Sequence, residues 1–285
     1  MRYIAMSTII EVKSLCHTYS SGLEAIRGID ITIDEGEYVA IIGQNGSGKT
    51  TFVKHLNGLL KPTAGQVFIK GMDTAKKRVS ELARYVGYVF QNPDHQICCD
   101  TVEAEVAFGP RNLHFEKGDI ERRVQEALQA VDLLEYRTVN PKKLSKGQRQ
   151  RIAFASILSM KPSVLIVDEP TTGQDYRDGI AMLELVSRLN QNGHTVLFIT
   201  HDMQLVAKYA KRVVVFHDGN ILLQKNTREV FAEPETLEQT FLSPPAITLL
   251  AQRFPSIYRD TILSTAEMLE KTPNLISSLP RENNA

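Results

Sequence analysis

The chain has 285 residues, enough for one large α/β domain plus an appendage, and its 42% apolar content can build a sizeable core. Its 33 basic residues balance 33 acidic ones, which removes any electrostatic reason to expect nucleic-acid binding. The three cysteines, Cys16, Cys98 and Cys99, show no zinc spacing, and adjacent Cys98 and Cys99 are poorly placed to bridge each other, so free thiols in a reducing compartment are expected.

Taken in chain order, Ile9 to Leu15, Ile29 to Ile33 and Glu37 to Gly43 read as strands separated by turns. Gly48 to Leu59 reads as a helix, and Gly65 to Gly71 and Val86 to Gln91 as further strands. Glu121 to Tyr136 reads as a helix with Val124, Leu128, Val131 and Leu134 on one face. Ser145 is a good N-cap for a helix over Lys146 to Met160. The short apolar runs Val164 to Asp168 and Thr195 to Thr200 suit strands buried on both faces. Between them Tyr176 to Asn192 forms a helix stopped by Gly193, and Arg212 to Gln224, broken at Asp218-Gly219, forms a hairpin. Beyond about Glu233, Pro234, Pro244 and Pro245 punctuate amphipathic pieces that read as a C-terminal extension. No basic segment followed by a long apolar core opens the chain, and its aliphatic runs are strand-sized, so neither a signal peptide nor direct membrane insertion is expected.

Two segments carry chemistry. Gly43-Gln44-Asn45-Gly46-Ser47-Gly48-Lys49-Thr50 fits G-x-x-x-x-G-K-[ST] and lies between an apolar strand and a helix, the context that pattern requires. Its glycines let the backbone curl so that N–H groups point inward at phosphate oxygens, and the following helix adds its positive end. Lys49 would bridge the outer phosphates, and Thr50 would place its hydroxyl on magnesium. The second segment is Asp168-Glu169, at the exit of a buried strand, where open parallel sheets place ligands. Asp168 can hold magnesium, and Glu169 can polarise an attacking water as a general base. Alone, Asp-Glu after a strand is often a solvated turn. With Lys49 in the same chain, the pair reads as a nucleotide site.

Leu144-Ser145-Lys146-Gly147-Gln148, twenty residues before Asp168, resembles the signature motif of ATP-binding cassette ATPases. The resemblance covers about residues 7 to 230 and orders the other motifs. Gln91 resembles the Q-loop glutamine, which senses magnesium and the transmembrane partner. Thr172-Gly173-Gln174-Asp175 sits where the D-loop belongs, and His201 resembles the switch histidine that contacts the γ-phosphate. Tyr19 lies where the family stacks an aromatic on adenine. Taken singly these residues would say little, since a lone histidine after a strand or a lone tyrosine near an N-terminus is more often structural.

The family implies a P-loop NTPase cassette. A RecA-like mixed or parallel sheet core carries an antiparallel β subdomain and an α-helical subdomain over about residues 92–160, within a cassette spanning 1–232 and followed by an extension over 233–285. It implies ATP and Mg2+ as ligands. Tyr19, Gly43, Asn45, Gly46, Ser47, Gly48, Lys49, Thr50 and Thr51 would bind the nucleotide of one copy, and Ser145, Gly147 and Gln148 that of its mate, across a head-to-tail dimer. Thr50, Gln91 and Asp168 would serve the metal. Lys49, Gln91, Glu169 and His201 would act in catalysis. Two residues depart from the usual pattern without removing a group the chemistry needs: Lys146 replaces the first glycine of the signature pair, and Gln174 replaces the D-loop leucine.

Gln91-Asn92-Pro93-Asp94-His95-Gln96, then Val106-Ala107-Phe108-Gly109-Pro110-Arg111-Asn112, resemble the ATPase subunits of energy-coupling-factor transporters, which take up vitamins and transition-metal ions in prokaryotes. Ser243-Pro244-Pro245 before an amphipathic stretch fits that branch, where the extension contributes to pairing of the two ATPases. The implied partners are a second ATPase subunit, identical or paralogous, a transmembrane scaffold subunit and a substrate-binding membrane subunit, at the cytoplasmic face of the cell membrane. Phe108 and Pro110 would then wall the groove that receives the scaffold. The same residues also fit the ATPase of another cassette importer, or a soluble nucleotide-driven switch, although such switches usually carry two cassettes or long insertions.

Overall fold

Alternation along each central strand divides its side chains between two cores, which is why these strands read as unbroken apolar runs. The computed structural model describes residues 7–171 and 176–272. Strands β1 (Thr8–Thr18) and β2 (Glu24–Asp34) pair antiparallel, and β3 (Tyr38–Ile42) leads into helix α1 (Lys49–Leu56). Then come β4 (Ala64–Ile69), β5 (Met72–Asp73), α2 (Val79–Leu82) and β6 (Val86–Val89). Helices α3 (Val102–Asn112), α4 (Lys117–Ala130) and α5 (Lys146–Leu158) precede β7 (Val164–Asp168), α6 (Tyr176–Gln191) and β8 (Thr195–Ile199). The order closes with α7 (Met203–Tyr209), β9 (Arg212–His217), β10 (Asn220–Asn226), α8 (Thr227–Phe231), α9 (Pro234–Glu238), α10 (Ala246–Gln252) and α11 (Thr265–Lys271).

The main sheet runs β10-β9-β3-β8-β7-β6, parallel except for the β9–β10 hairpin. A second, antiparallel sheet runs β2-β1-β4-β5. Val39, Ile41, Ile166, Leu197 and Phe216 face the core shared with that second sheet and α1. Their neighbours Ala40, Ile42, Val167, Phe198 and Val215 face the core shared with the helices on the other side. The chain is thus an α/β cassette in which a mixed sheet, an antiparallel sheet and a helical group over α3–α5 share two cores.

Several expected boundaries move. α1 ends at Leu56 because Asn57 caps it and Gly58 turns left-handed at φ 76. The helix expected over 121–136 instead spans Lys117–Ala130. Asp132 adopts φ 55, and Asp132 and Leu133 donate back to the Gln129 and Leu128 carbonyls at 3.2 and 2.9 Å, closing the helix with a Schellman motif. Leu134 then falls in a short 3-10 turn. β1 and β2 run well beyond the expected strands, because their outward-facing residues are polar and break the apolar pattern.

Pro110 lies inside α3 and is buried. Lacking an N–H, it leaves the Val106 carbonyl without its helical donor. The buried Ser159 hydroxyl at the end of α5 donates to that oxygen at 2.8 Å, so α3 keeps its course. Of the expected groove residues, Phe108 is 48% exposed, whereas buried Pro110 belongs to the interior and offers no wall.

After β10, α8 packs on β9, β10 and α7. Leu237 of α9 is buried in the same core as Val206 and Phe231. Gln252 of α10 donates to the Phe231 carbonyl at 2.8 Å, and Arg228 pairs with Glu267 of α11 at 2.8 Å.

Candidate active site

The turn between β3 and α1 forms the base of the site. Gly43 and Gly48 hold φ 143 and 104. A Cβ on Gly43 would lie 2.3 Å from the Phe216 carbonyl oxygen, and one on Gly48 would lie 2.7 Å from that of Ala25, so both places require glycine for backbone angle and for space. α1 starts with no side-chain cap and no acid in its first turn, leaving its first N–H groups to an incoming acceptor. The Ser47 hydroxyl, in a residue only 1% exposed, has no hydrogen-bond partner among the described residues.

Lys49 folds back over this hollow. Its Nζ donates to the carbonyls of Gly43 at 2.6 Å and Gln44 at 2.8 Å. Burial pulls its pKa down, opposed by the charges of Glu169 and Asp168. The uncapped helix end, the unpartnered hydroxyl and the ammonium together fit a polyphosphate.

Asp168 closes β7 and is buried. Desolvation raises its pKa, and a hydrogen bond from the Tyr88 hydroxyl to Oδ2, 2.6 Å long, works in the opposite direction. The next residue, Glu169, takes the left-handed conformation at φ 49 and donates its N–H to the Ile199 carbonyl at 2.9 Å. Both carboxylates consequently line one cavity. His201 reaches the second of them, its Nδ1 lying 2.9 Å from Glu169 Oε2 and 3.0 Å from Oε1.

That cavity measures about 420 Å³ and gathers Tyr19, Asn45, Gly46, Gly48, Lys49, Thr50, Thr51, Gln91, Asp168, Glu169 and His201. Gly43 and Ser47, expected to bind the nucleotide, belong to the same turn but do not line the cavity. Thr50 is exposed to the cavity beside Asp168 and Gln91, an oxygen-rich donor set suited to a hard divalent cation. At the rim, the Tyr19 hydroxyl lies 2.9 Å from Thr51 Oγ1, and its ring stands edge-on to His17 with centroids 4.7 Å apart. His17 in turn lies 3.1 Å from His55, a buried histidine whose pKa burial pushes down to about 4. A larger groove, about 1290 Å³, separates α7 from α10 and α11, and three of its charged residues, Arg228, Glu267 and Lys271, are paired with one another.

Ser145, Gly147 and Gln148 do not line the cavity. They begin α5, where Ser145 Oγ accepts from the Gln148 N–H at 3.2 Å and Gln148 Oε1 accepts from the Ser145 N–H at 2.9 Å. Thr172 to Asp175 lie outside the described residues. Two features escaped sequence reasoning. Tyr88 reaches Asp168 only because β6 and β7 are neighbours, and the signal was no more than a tyrosine on an apolar strand. The other is the attachment of the Gln91 loop to α5. Gln96 donates to the Ala153 carbonyl at 2.7 Å and accepts from the Phe90 N–H at 3.3 Å, Gln150 donates to the Phe90 carbonyl at 3.2 Å, and Arg149 pairs with Asp94 at 2.8 Å.

A profile of the ABC transporter family matches residues 26–172. The energy-coupling factor transporter ATP-binding protein EcfA of Methanocaldococcus jannaschii is 42% identical over 246 residues, covering 86% of this chain and 88% of that one. An ABC transporter ATP-binding protein of Caldanaerobacter subterraneus subsp. tengcongensis is 50% identical over 264 residues, covering 93% of this chain but 46% of that one. The chain thus spans about half the length of some of the curated relatives it matches. Among solved structures, cbiO1 from Clostridium perfringens, part of the ABC transporter complex cbiONQ, superposes with TM-score 0.73 at 35% identity over 86% of this chain and 99% of that one. The ATP-binding cassette MJ0796, dimeric and bound to ADP and Pi, superposes with TM-score 0.70 at 29% identity over 77% of this chain and 99% of that one. These similarities show that the chain belongs to the ABC transporter family, with its likeness to energy-coupling factor transporter ATP-binding proteins extending over most of its length.

Proposed function

We propose that this chain is the ATP-hydrolysing subunit that powers uptake of a micronutrient, a vitamin or a transition-metal ion, through an energy-coupling-factor transporter. The observation that carries this reading is the convergence of Lys49, Asp168, Glu169 and His201 on one cavity above an uncapped helix end. Similarity to EcfA and to cbiO1 favours this branch over other importers.

In this reading the cassette works as a dimer with a second ATPase subunit, and the Ser145-capped end of α5 in one copy faces the cradle of the other. Lys49 exchanges its two carbonyl partners for phosphate oxygens. Thr50, Asp168 and Gln91 would hold Mg2+, which would neutralise charge on the phosphates when bound. Glu169 orients the attacking water, and His201, in contact with it, holds its carboxylate and meets the γ-phosphate. The Gln91 loop, fastened to α5, passes motion to a transmembrane scaffold subunit, and a separate membrane subunit binds the substrate. Among the described residues no helix is long and apolar enough to cross a membrane, so contact with the cytoplasmic face of the bilayer runs through those partners.

Glu169→Gln tests the reading. Phosphate release should fall at least about a hundredfold, the lower end of a general-base contribution, while ATP is retained in a dimer visible by size exclusion. Turnover like that of the unsubstituted chain would overturn the base assignment. Failure to recover two integral membrane proteins from detergent extracts with a tagged chain would overturn the transporter assignment.

A further inference from the structure

Outside the nucleotide cavity, Cys98, Cys99 and Glu105 bring two sulfurs and a carboxylate oxygen together, all within 4.8 Å of one another. Cys98 and Cys99 lie in the loop that follows the Gln91 segment, and Glu105 stands in the first turn of α3. We propose that this cluster is a binding site for a thiophilic divalent cation such as Zn2+ or Cd2+.

The chemistry of the three groups argues for it. Glu105 is only 3% exposed, yet among the described residues no lysine, arginine or histidine pairs with it. Its compensation is two backbone N–H groups, of Cys98 and Cys99, both donating to Oε2 at 2.9 Å. A carboxylate buried on that basis alone lacks a positive charge. Because both thiols and a Glu105 carboxylate oxygen lie so close together, a single ion can be reached by all three.

Tetrahedral zinc, with bonds of about 2.3 Å to sulfur and about 2.0–2.2 Å to oxygen, needs donors separated by roughly 3.3–3.8 Å. Rotation of two thiol side chains covers that difference. Binding forms two metal–sulfur bonds and one metal–oxygen bond, and each thiol releases its proton to solvent. Cys98 is exposed and supplies the way in, leaving the fourth position to water. Sequence spacing hid the site because its third ligand sits across a loop-to-helix junction instead of in a C-x-x-C pair.

The test uses the full chain, freed of metal, titrated with Cd2+ alone and followed by thiolate-to-cadmium charge-transfer absorption. One equivalent per chain should develop the band. Cys98→Ser and Cys99→Ser should each abolish the stoichiometric step, Glu105→Gln should weaken it at least tenfold, and Cys16→Ser should leave it intact. A measurement that needs no variant is alkylation mapped by mass spectrometry, in which Cd2+ or Zn2+ should shield Cys98 and Cys99 but not Cys16. Absence of the band at stoichiometric Cd2+, a band that survives loss of either thiol, or alkylation of Cys98 and Cys99 unaffected by metal would overturn the proposal. None of these readouts depends on ATP turnover, so the nucleotide assignment stands or falls separately.

Discussion

Tyr88 on β6 donates its hydroxyl to Asp168 Oδ2 on β7 across 2.6 Å, placing a buried phenol directly behind the carboxylate assigned to the metal. The bond favours the ionised carboxylate against the desolvation that disfavours it. Tyr88→Phe should therefore raise the magnesium concentration needed for half-maximal nucleotide retention several-fold while leaving magnesium-free nucleotide binding unchanged. Titrating magnesium against a fluorescent ATP analogue reads this out. An unaltered midpoint would reduce Tyr88 to a packing residue.

Asp168 also makes a prediction about stability. Its folded pKa is raised above the unfolded value, so its contribution favours folding below the unfolded pKa and is lost as pH rises through the folded one. At neutral pH the ionised carboxylate is a burden on the nucleotide-free chain. Asp168→Asn should raise the melting temperature there, with ~2–4 °C expected per kcal/mol in a domain of this size, and should abolish magnesium-dependent hydrolysis. Calorimetry at pH 7 and near pH 4 checks the sign, because the gain must shrink at the lower pH.

The Ser159–Val106 bond allows a double-mutant cycle. Ser159→Ala leaves a buried carbonyl without a donor and should cost about 1–3 kcal/mol in urea unfolding. In a Pro110→Ala background the residue 110 N–H can serve the same carbonyl, and the cost of Ser159→Ala should fall by at least about 0.5 kcal/mol. Strict additivity of the two substitutions would refute the repair role of Ser159.

His55 supplies a pH-dependent one. Its pKa falls from 6.5 to about 4 on folding, so the stability it contributes is complete above pH 6.5 and drains away as pH falls toward 4. Unfolding free energy should decline over that window, and the decline should be shallower in His55→Gln. Equal slopes for the two proteins would contradict the assignment.

What sequence reading recovered here is what neighbouring residues determine. The cradle is eight consecutive residues between a strand and a helix, and the Ser145–Gln148 box is a local pattern. Asp168 and Glu169 were legible because the end of a buried strand announces itself. Tyr88 and Ser159 were not, because their partners come from strand order and helix packing, which no local window contains. The α4 boundaries failed for a related reason: its polar first turn carries no periodicity, and its stop is an aspartate, Asp132, in a conformation usually given to glycine. Pro110 was expected to wall a groove and instead lies inside α3, because nothing nearby in the chain reveals the serine that compensates for it.

Glu169 sits where L-residues other than glycine and asparagine are penalised, by roughly 1–2 kcal/mol for the left-handed geometry. A library screened only for heat resistance should thus enrich Gly or Asn at this position and discard the acid. Enrichment of glutamate would have to come from a screen that rewards turnover, so the two selections, run side by side, would separate what this backbone prefers from what the chemistry demands.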